Sequence, residues 1–388
     1  MGKSSKDKRD AYYRLAKEQN WRARSAFKLI QIDEQFDLFA HSEPESVTRV
    51  VDLCAAPGSW SQVLSRVLIK GESFGRRAWE EKRRRELREG EEEEEEEQIL
   101  LKPRKNVKIV AIDLQPMTPL EGITTLKADI THPSTIPLLL KALDPDAYPS
   151  STSGSTSSTP SLRHPHPVDL VLSDGAPDVT GLHDLDIYIQ SQLLYAALNL
   201  AIGVLRPGGK FVAKIFRGRD VDLIYAQLKT VFEKVSVAKP RSSRASSLEA
   251  FVVCEGFRPP VVVESEKQQG VESTSATTTT QGPDGLGLLS NPLFGGAASS
   301  SSPSSSSNQP IGIQTTSTST MPNSRWIPPF IACGDLSAWD ADASYELPPD
   351  YVSLDPVQPP TAPPYKKALE RRREMGGMYG KTKGVVGE

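Results

Sequence analysis

Residues Val50–Gln62 read VVDLCAAPGSWSQ, and this stretch decides the fold. An apolar run leads into a tight turn of small residues, and a helix begins immediately afterwards. A parallel α/β domain uses such a turn to bring its backbone close to a nucleotide-like ligand. Small side chains at Ala55, Ala56 and Gly58 leave room for that approach. An ordinary strand–helix turn shows the same pattern and stays an alternative at this point.

The composition of this turn also indicates which ligand to expect. It lacks the three glycines of a dinucleotide site and the Lys-Ser/Thr pair of a phosphate loop. A pyrophosphate is therefore not the expected ligand. A ligand with an adenosine end and an amino-acid end, such as S-adenosylmethionine, fits better.

Strand and helix signals alternate along the chain around this turn. The predicted strands are Arg49–Cys54, Val107–Ile112, Ile123–Lys127, Val168–Ser173, Lys210–Phe216 and Ala250–Cys254. The main predicted helices are Ser59–Ile69, Asp186–Val204 and Val221–Phe232. This alternation predicts an α/β fold with a mostly parallel, seven-stranded sheet, helices on both faces and a terminal antiparallel strand. Such a sheet is typical of Rossmann-like S-adenosylmethionine-dependent methyltransferases.

Composition divides the 388 residues into segments, because only 37% of them are hydrophobic and three stretches are of low complexity. We expect one α/β domain over residues 1–258. Two disordered insertions are expected in it, a charged one at 71–106 and a Ser/Thr/Pro-rich one at 145–167. A flexible linker follows at 259–325, and then a partly docked C-terminal extension with a basic tail at 326–388.

The distribution of charge and the small number of cysteines indicate which partners and which cellular compartment to expect. Residues 1–28 carry nine Lys/Arg against three Asp/Glu, an excess that suits a nucleic-acid partner, with Tyr12, Tyr13 and Trp21 as candidates for stacking on bases. The three cysteines and five histidines form no metal-ligand pattern, so no metal is expected. We also expect no disulfide framework, no membrane association and a cytoplasmic location.

Acidic residues end three of the predicted parallel strands, at the edge of the sheet where ligands bind. Asp113 occupies the place of an acid that holds ribose hydroxyls, and Asp129 can meet an adenine amino group. Asp174 lies beside the expected methionine end and the substrate, while Gly58 and Trp60 line the first turn. Any one of these aspartates could instead be a helix cap.

Lys214 interrupts an apolar strand, where a lysine is costly unless it is paired or functional. If it meets Lys28, Asp174 and Glu249, the two lysines disfavour each other's charge, and burial lowers their pKa further. A lysine with a lowered pKa can accept a proton from a ribose hydroxyl. A set of structural ion pairs is the alternative interpretation of these residues.

Five motifs in the same order resemble the FtsJ (RrmJ) family of ribose 2′-O-methyltransferases, over about residues 10–257 apart from the insertions: Ser25–Leu29, Asp52–Gln62, Leu172–Asp178, Val212–Phe216 and Ser247–Phe251. The resemblance implies a catalytic tetrad of Lys28, Asp174, Lys214 and Glu249, with Lys214 as the general base. It also implies contacts with S-adenosylmethionine at Gly58, Trp60, Asp113, Asp129 and Asp174.

The C-terminal extension is similar to that of the eukaryotic cytosolic branch of the family, in the segments Pro329–Ser337, Asp340–Tyr345 and Pro359–Tyr365. This resemblance implies a tRNA substrate methylated at anticodon-loop nucleotides 32 and 34. It also implies two helper proteins, one built of helical repeats and the other a WD-repeat propeller. A ribosomal-RNA methyltransferase of the same family and a catalytically inactive RNA-binding scaffold are the alternative functions.

The linker provides a first test of this organisation. Deleting residues 264–325 is expected to leave cooperative thermal unfolding intact, because their Ser/Thr/Gly/Pro composition buries too little apolar surface to join a core. Circular dichroism melting of the full chain and of the deletion variant measures this. Loss of a cooperative transition in the variant would show that the segment is structural.

Overall fold

The computed structural model describes residues 9–78, 80, 103–145, 168–177, 182–218, 221–259, 329–337 and 340–358. The predictions for the linker, for the basic tail and for most of the two insertions fall on residues outside these ranges.

The fold is built on one mixed sheet with the strand order β3-β2-β1-β4-β5-β7-β6-β8. Its strands are β1 (Arg49–Leu53), β2 (Lys108–Asp113), β3 (Ile123–Lys127), β4 (Val168–Ser173), β5 (Leu205–Phe216), β6 (Phe232–Pro240), β7 (Glu249–Phe257) and β8 (Phe330–Cys333). β1 to β5 pair in parallel, β7 runs antiparallel to both β5 and β6, and β8 runs parallel to β6. The predicted mostly parallel α/β fold is confirmed.

Helices cover both faces of the sheet. They are α1 (Ala11–Glu18), α2 (Ala26–Phe36), α3 (Ser59–Leu64), α4 (Thr135–Leu143), α5 (His183–Val204) and α6 (Val221–Val231), with a π-helical turn at Ser65–Ile69 that prolongs α3. One apolar core lies between the sheet and α1, α2 and α3, and the other between the sheet and α4, α5 and α6. In a sheet of this kind ligands bind beyond the carboxyl ends of the parallel strands, here β1 to β5.

Two strands were not located from the sequence. β6 begins with exposed charged residues, Glu233 and Lys234, and so lacks the apolar run of a central strand. β8 is only four residues long and lies beyond the low-complexity segment. As a result, the sheet has eight strands among the described residues where seven were expected.

β5 also differs from its prediction, since it begins at Leu205 and not at Lys210. Its register with β4 shifts between Val168, opposite Leu205, and Leu170, opposite Lys210. The Pro-Gly-Gly turn predicted to precede the strand is therefore accommodated as a bulge within it, with Gly208 at φ 80°.

By length and composition alone, helix α5 is apolar enough over Asp184–Val204 to cross a membrane. This finding differs from the expectation that the chain has no stretch of that kind. The helix residues Leu194, Ala197, Leu198 and Ala201 are buried in the core of the sheet. These four side chains therefore pack within the domain, as the side chains of a core helix do.

The C-terminal segment packs against both the sheet and α1. Besides the pairing of β8 with β6, Asp342 accepts hydrogen bonds from the backbone N–H and the hydroxyl of Ser246, at 3.2 and 3.0 Å. Tyr345 is buried with the guanidinium of Arg14 4.8 Å from its ring centroid. These contacts join the C-terminal segment to β6, to the loop between β6 and β7, and to α1.

The Asp169 side chain links the amino ends of the neighbouring strands β4 and β1. Its carboxylate accepts from the backbone N–H groups of Thr48 and Arg49, at 2.7 and 2.8 Å, and pairs with Arg206 at 2.6 Å. Asp169→Ala is expected to lower the free energy of unfolding by about 2–4 kcal/mol, because buried donors lose a charged acceptor. Urea denaturation measures this, with the exposed Asp350→Ala as the control; equal stability of the two variants would contradict the assignment.

Candidate active site

The turn after β1 has the backbone that a close-approaching ligand needs. Cys54 and Gly58 have φ values of 56° and 95°, and α3 begins at the next residue. The φ of Gly58 disfavours any larger residue, and a Cβ built there would lie 2.6 Å from the Arg22 Nη1 atom, so the end of the Arg22 side chain would have to move. The Arg22 guanidinium donates a hydrogen bond to the carbonyl oxygen of Pro57 at 3.0 Å, which stabilises the turn.

The aspartate at the end of β2 is bonded to this turn. Asp113 Oδ2 accepts from the backbone N–H of Ala56 at 2.8 Å, and its Oδ1 accepts from that of Gln115 at 2.7 Å. Each carboxylate oxygen has a second lone pair for a ligand hydroxyl. Asp129, beyond β3, accepts from the backbone N–H and the hydroxyl of Thr131 and in part caps its own loop.

Trp60 lies in the predicted turn, but its side chain faces the core. It is 2% exposed, its Nε1 donates to the carbonyl oxygen of Ser25 at 2.8 Å, and its ring packs on Phe251. Only its backbone can therefore face a ligand. Tyr12 and Trp21, expected to stack on bases, are buried as well, so that part of the prediction is wrong.

The four residues of the predicted tetrad converge from four elements. Lys28 on α2 lies 2.7 Å from Glu249 Oε1 at the start of β7. Lys214 on β5 lies 2.6 Å from Asp174 Oδ1, just beyond β4, and 3.6 Å from Glu249 Oε2. All four side chains are largely buried, and the two lysines are each within ion-pair distance of Glu249.

The pKa values of the two lysines in the tetrad do not both shift in the expected direction. Burial lowers the pKa of Lys28 although Asp174 opposes this effect, and Lys214 lowers it further. Burial also acts to lower the pKa of Lys214, but Asp174 and Glu249 outweigh it and raise that pKa. The expectation that both lysines have a lowered pKa is therefore wrong for Lys214 in the protein alone, because two carboxylates face its amine.

Glu249 is the negative centre of the cluster. Burial alone would raise its pKa, but Lys28 and Lys214 lower it to about 2. Ser243 donates to Glu249 Oε1 at 2.7 Å, and Lys239 donates to the carbonyl oxygen of Glu249 at 2.6 Å. Sequence reasoning missed both residues, because Lys239 lies on the unpredicted β6 and Ser243 in the loop after it.

Another buried carboxyl group lies on β1, directly before the first turn. Asp52 on β1 is fully buried and accepts a hydrogen bond from the Ser61 hydroxyl at 2.6 Å. Burial raises its pKa to about 7. An acid inside the apolar run of β1 was visible in the sequence and could have been singled out there.

One group of residues with metal-ligating side chains lies in the part of the chain that the structure describes. Asp33, Asp37 and His41 lie within 4.8 Å of one another. Arg77 is 3.5 Å from Asp33 and 2.8 Å from Asp37, which is typical of an ion-pair cluster.

Comparisons with known proteins agree with this geometry. Residues 21–257 match the family of FtsJ-like methyltransferases. The chain is 50% identical to the tRNA (cytidine(32)/guanosine(34)-2′-O)-methyltransferase of Schizosaccharomyces pombe, over 95% of this chain and 97% of that protein. It is 44% identical to the Homo sapiens protein of the same name, over 96% and 86%. A pre-rRNA 2′-O-ribose RNA methyltransferase of Pongo abelii is 34% identical, over 68% of this chain and 24% of that protein.

The low pKa of Glu249 makes the stability of the cluster depend on pH. Its folded-state pKa of about 2 lies below its ordinary 4.5, so its contribution is complete above pH 4.5 and is lost as the pH falls toward 2. The difference in unfolding free energy between wild type and Glu249→Gln, on the order of 2–3 kcal/mol at pH 7, should therefore shrink below pH 4.5.

Urea unfolding at several pH values measures this difference. Glu255→Gln removes the same charge from the same strand and serves as the control. A wild-type advantage over Glu249→Gln that stays constant down to pH 3 would contradict the ion-pair assignment.

Proposed function

The chain belongs to the family of FtsJ-like methyltransferases, and from this premise we propose that it methylates the ribose 2′-oxygen of tRNA nucleotides 32 and 34, with S-adenosylmethionine as the methyl donor. The observation that carries the proposal is the convergence of Lys28, Asp174, Lys214 and Glu249 in one buried cluster. It stands beside a turn that fits the adenosine and amino-acid ends of that donor.

The residues beside this turn suit S-adenosylmethionine. Gly58 adds no side chain to the turn, and the Asp113 carboxylate has acceptor capacity for ribose hydroxyls. Asp129 and Asp174 follow the neighbouring strands at the same edge of the sheet. When bound, this donor supplies an electrophilic methyl group and a positive charge. None of these contacts requires a metal, and we propose a metal-free site.

Lys214 is the proposed general base. Its amine lies between the carboxylates of Asp174 and Glu249, which fix its direction, while Lys28 balances the second negative charge. Lys214 loses its proton more readily beside a positive charge, so a loaded site favours the neutral amine. The neutral Nζ atom would then accept the proton of the 2′-hydroxyl while the oxygen bonds to the methyl carbon and the carbon–sulfur bond of the donor breaks, which releases a neutral thioether.

The choice of tRNA over ribosomal RNA rests on the extent of the similarity. The matched Schizosaccharomyces pombe protein is covered over 97% of its length, including the part that aligns with the C-terminal extension. The matched pre-rRNA enzyme is covered over 24% of its length. An inactive scaffold is the less favoured alternative, because the tetrad is complete and its ion pairs are formed.

Three further features belong to this proposal. The chain consists of an FtsJ-type domain at 1–258, a linker at 259–325 and an extension at 326–388. It works in the cytoplasm with two helper proteins, one of helical repeats and one a WD-repeat propeller. The similarity of the extension to that of the tRNA anticodon-loop branch supports these features.

Replacing the proposed base tests the chemistry. Lys214→Ala is expected to reduce methyl transfer to tRNA by at least about 100-fold, because it removes the proposed proton acceptor, and to leave binding of S-adenosylmethionine nearly unchanged. Lys210→Ala removes a lysine from the same strand, outside the tetrad, and serves as the control. Transfer of a tritiated methyl group and calorimetric binding measure the two quantities; wild-type turnover by Lys214→Ala would overturn the assignment.

A further inference from the structure

Gln190 on α5 reaches the ends of two strands at once. Its side chain is buried, at 3% exposure, and its Nε2 donates to the carbonyl oxygen of Gly175 at 3.0 Å and to that of Lys214 at 2.9 Å. Both amide protons are therefore used on backbone acceptors that lie at, or next to, residues of the tetrad.

Lys214 is tied a second time to the same stretch of backbone. Its Nζ donates to the carbonyl oxygen of Asp174 at 2.8 Å and lies 2.6 Å from the Asp174 carboxylate. The amine and the carbonyl of Lys214 are thus both connected to the dipeptide Asp174–Gly175, the first directly and the second through Gln190. The three residues and the amide of Gln190 form a closed loop of hydrogen bonds.

This loop begins where the backbone ladder between the two strands stops. The last paired residues of β4 and β5 are Ser173 and Ala213. Asp174 and Lys214 follow immediately, so no backbone pair of this ladder fixes their spacing. Buried carbonyl oxygens need a donor, and the Gln190 amide supplies it to both strand ends.

The opposite side of the dipeptide is closely packed. A Cβ built on Gly175 would lie 2.9 Å from Cys54 Sγ, which belongs to the first turn. The end of β4 is therefore held between Cys54 and Gln190.

We propose that Gln190 is a positioning residue, which sets the distance between the Asp174 carboxylate and the Lys214 amine and so orients the base for catalysis. The inference rests on the proposed function of the tetrad. Gln190 itself acts through Gly175 and Lys214 and touches no substrate atom in this account. A structural tie without catalytic consequence is the competing interpretation.

The test replaces Gln190 by methionine, which keeps its length and removes both donors. Gln227→Met is the matched control, because Gln227 on α6 accepts from the Tyr195 hydroxyl at 2.9 Å, outside the tetrad. Calorimetric titration with S-adenosylmethionine gives the concentration of folded binding sites. Expressing kcat per binding site then distinguishes a loss of catalysis from a loss of folded protein. Gln190→Asn, whose side chain is too short to bridge both carbonyls, replaces the methionine variant if that variant does not fold.

Gln190→Met is expected to lower kcat per binding site about 10- to 100-fold, with KM for tRNA changed by no more than about twofold. The acid limb of its pH–rate profile should move to lower pH, because Asp174 then raises the pKa of Lys214 less. Gln227→Met should match wild type in both. An unchanged kcat, or a reduced kcat with an unshifted profile, would overturn the inference.

A readout without RNA distinguishes failure of this inference from failure of the proposed function. If wild type methylates no tRNA, the same variants of the full chain are compared by hydrogen exchange. Faster exchange in Gln190→Met confined to peptides at 174–177 and 214–217 supports the positioning role. Exchange equal to that of Gln227→Met in those peptides overturns it.

Discussion

The ion-pair cluster of two lysines and two carboxylates is the constraint on which the site depends. A buried ammonium group is costly alone, and here Lys28 and Lys214 each meet a carboxylate within 2.7 Å. The four residues come from α2, β5, β7 and the end of β4, so the cluster forms only when these four elements are in place. The same geometry that stabilises the charges also holds the amine of Lys214 in one direction.

The sequence was sufficient where a residue conflicts with its local pattern. Lys214 stands in an apolar strand, and small residues follow β1, so both could be recognised without coordinates. The roles of Gln190 and Ser243 could not be recognised from the sequence, because an amide on a helix and a hydroxyl in a loop are common. The raised pKa of Lys214 was also missed, since it depends on the distances to two carboxylates and not on residue type.

The missed strands have a related physical reason. β6 combines buried residues with exposed charges at its second and third positions, and it lies near the edge of the sheet. β8 pairs with β6 after a long low-complexity segment. Together they carry or brace the loop with Ser243, which bonds to Glu249. Part of the support of the site thus lies beyond residue 257, where the match to the family ends.

The central claim is that this tetrad methylates riboses of the tRNA anticodon loop. The most direct measurement maps 2′-O-methyl groups across tRNA and ribosomal RNA in cells that lack the gene, rescued by wild type or by Lys214→Ala. The account predicts that methyl groups disappear at nucleotides 32 and 34 of tRNA and that only wild type restores them. Loss confined to ribosomal RNA, or equal rescue by Lys214→Ala, would contradict it.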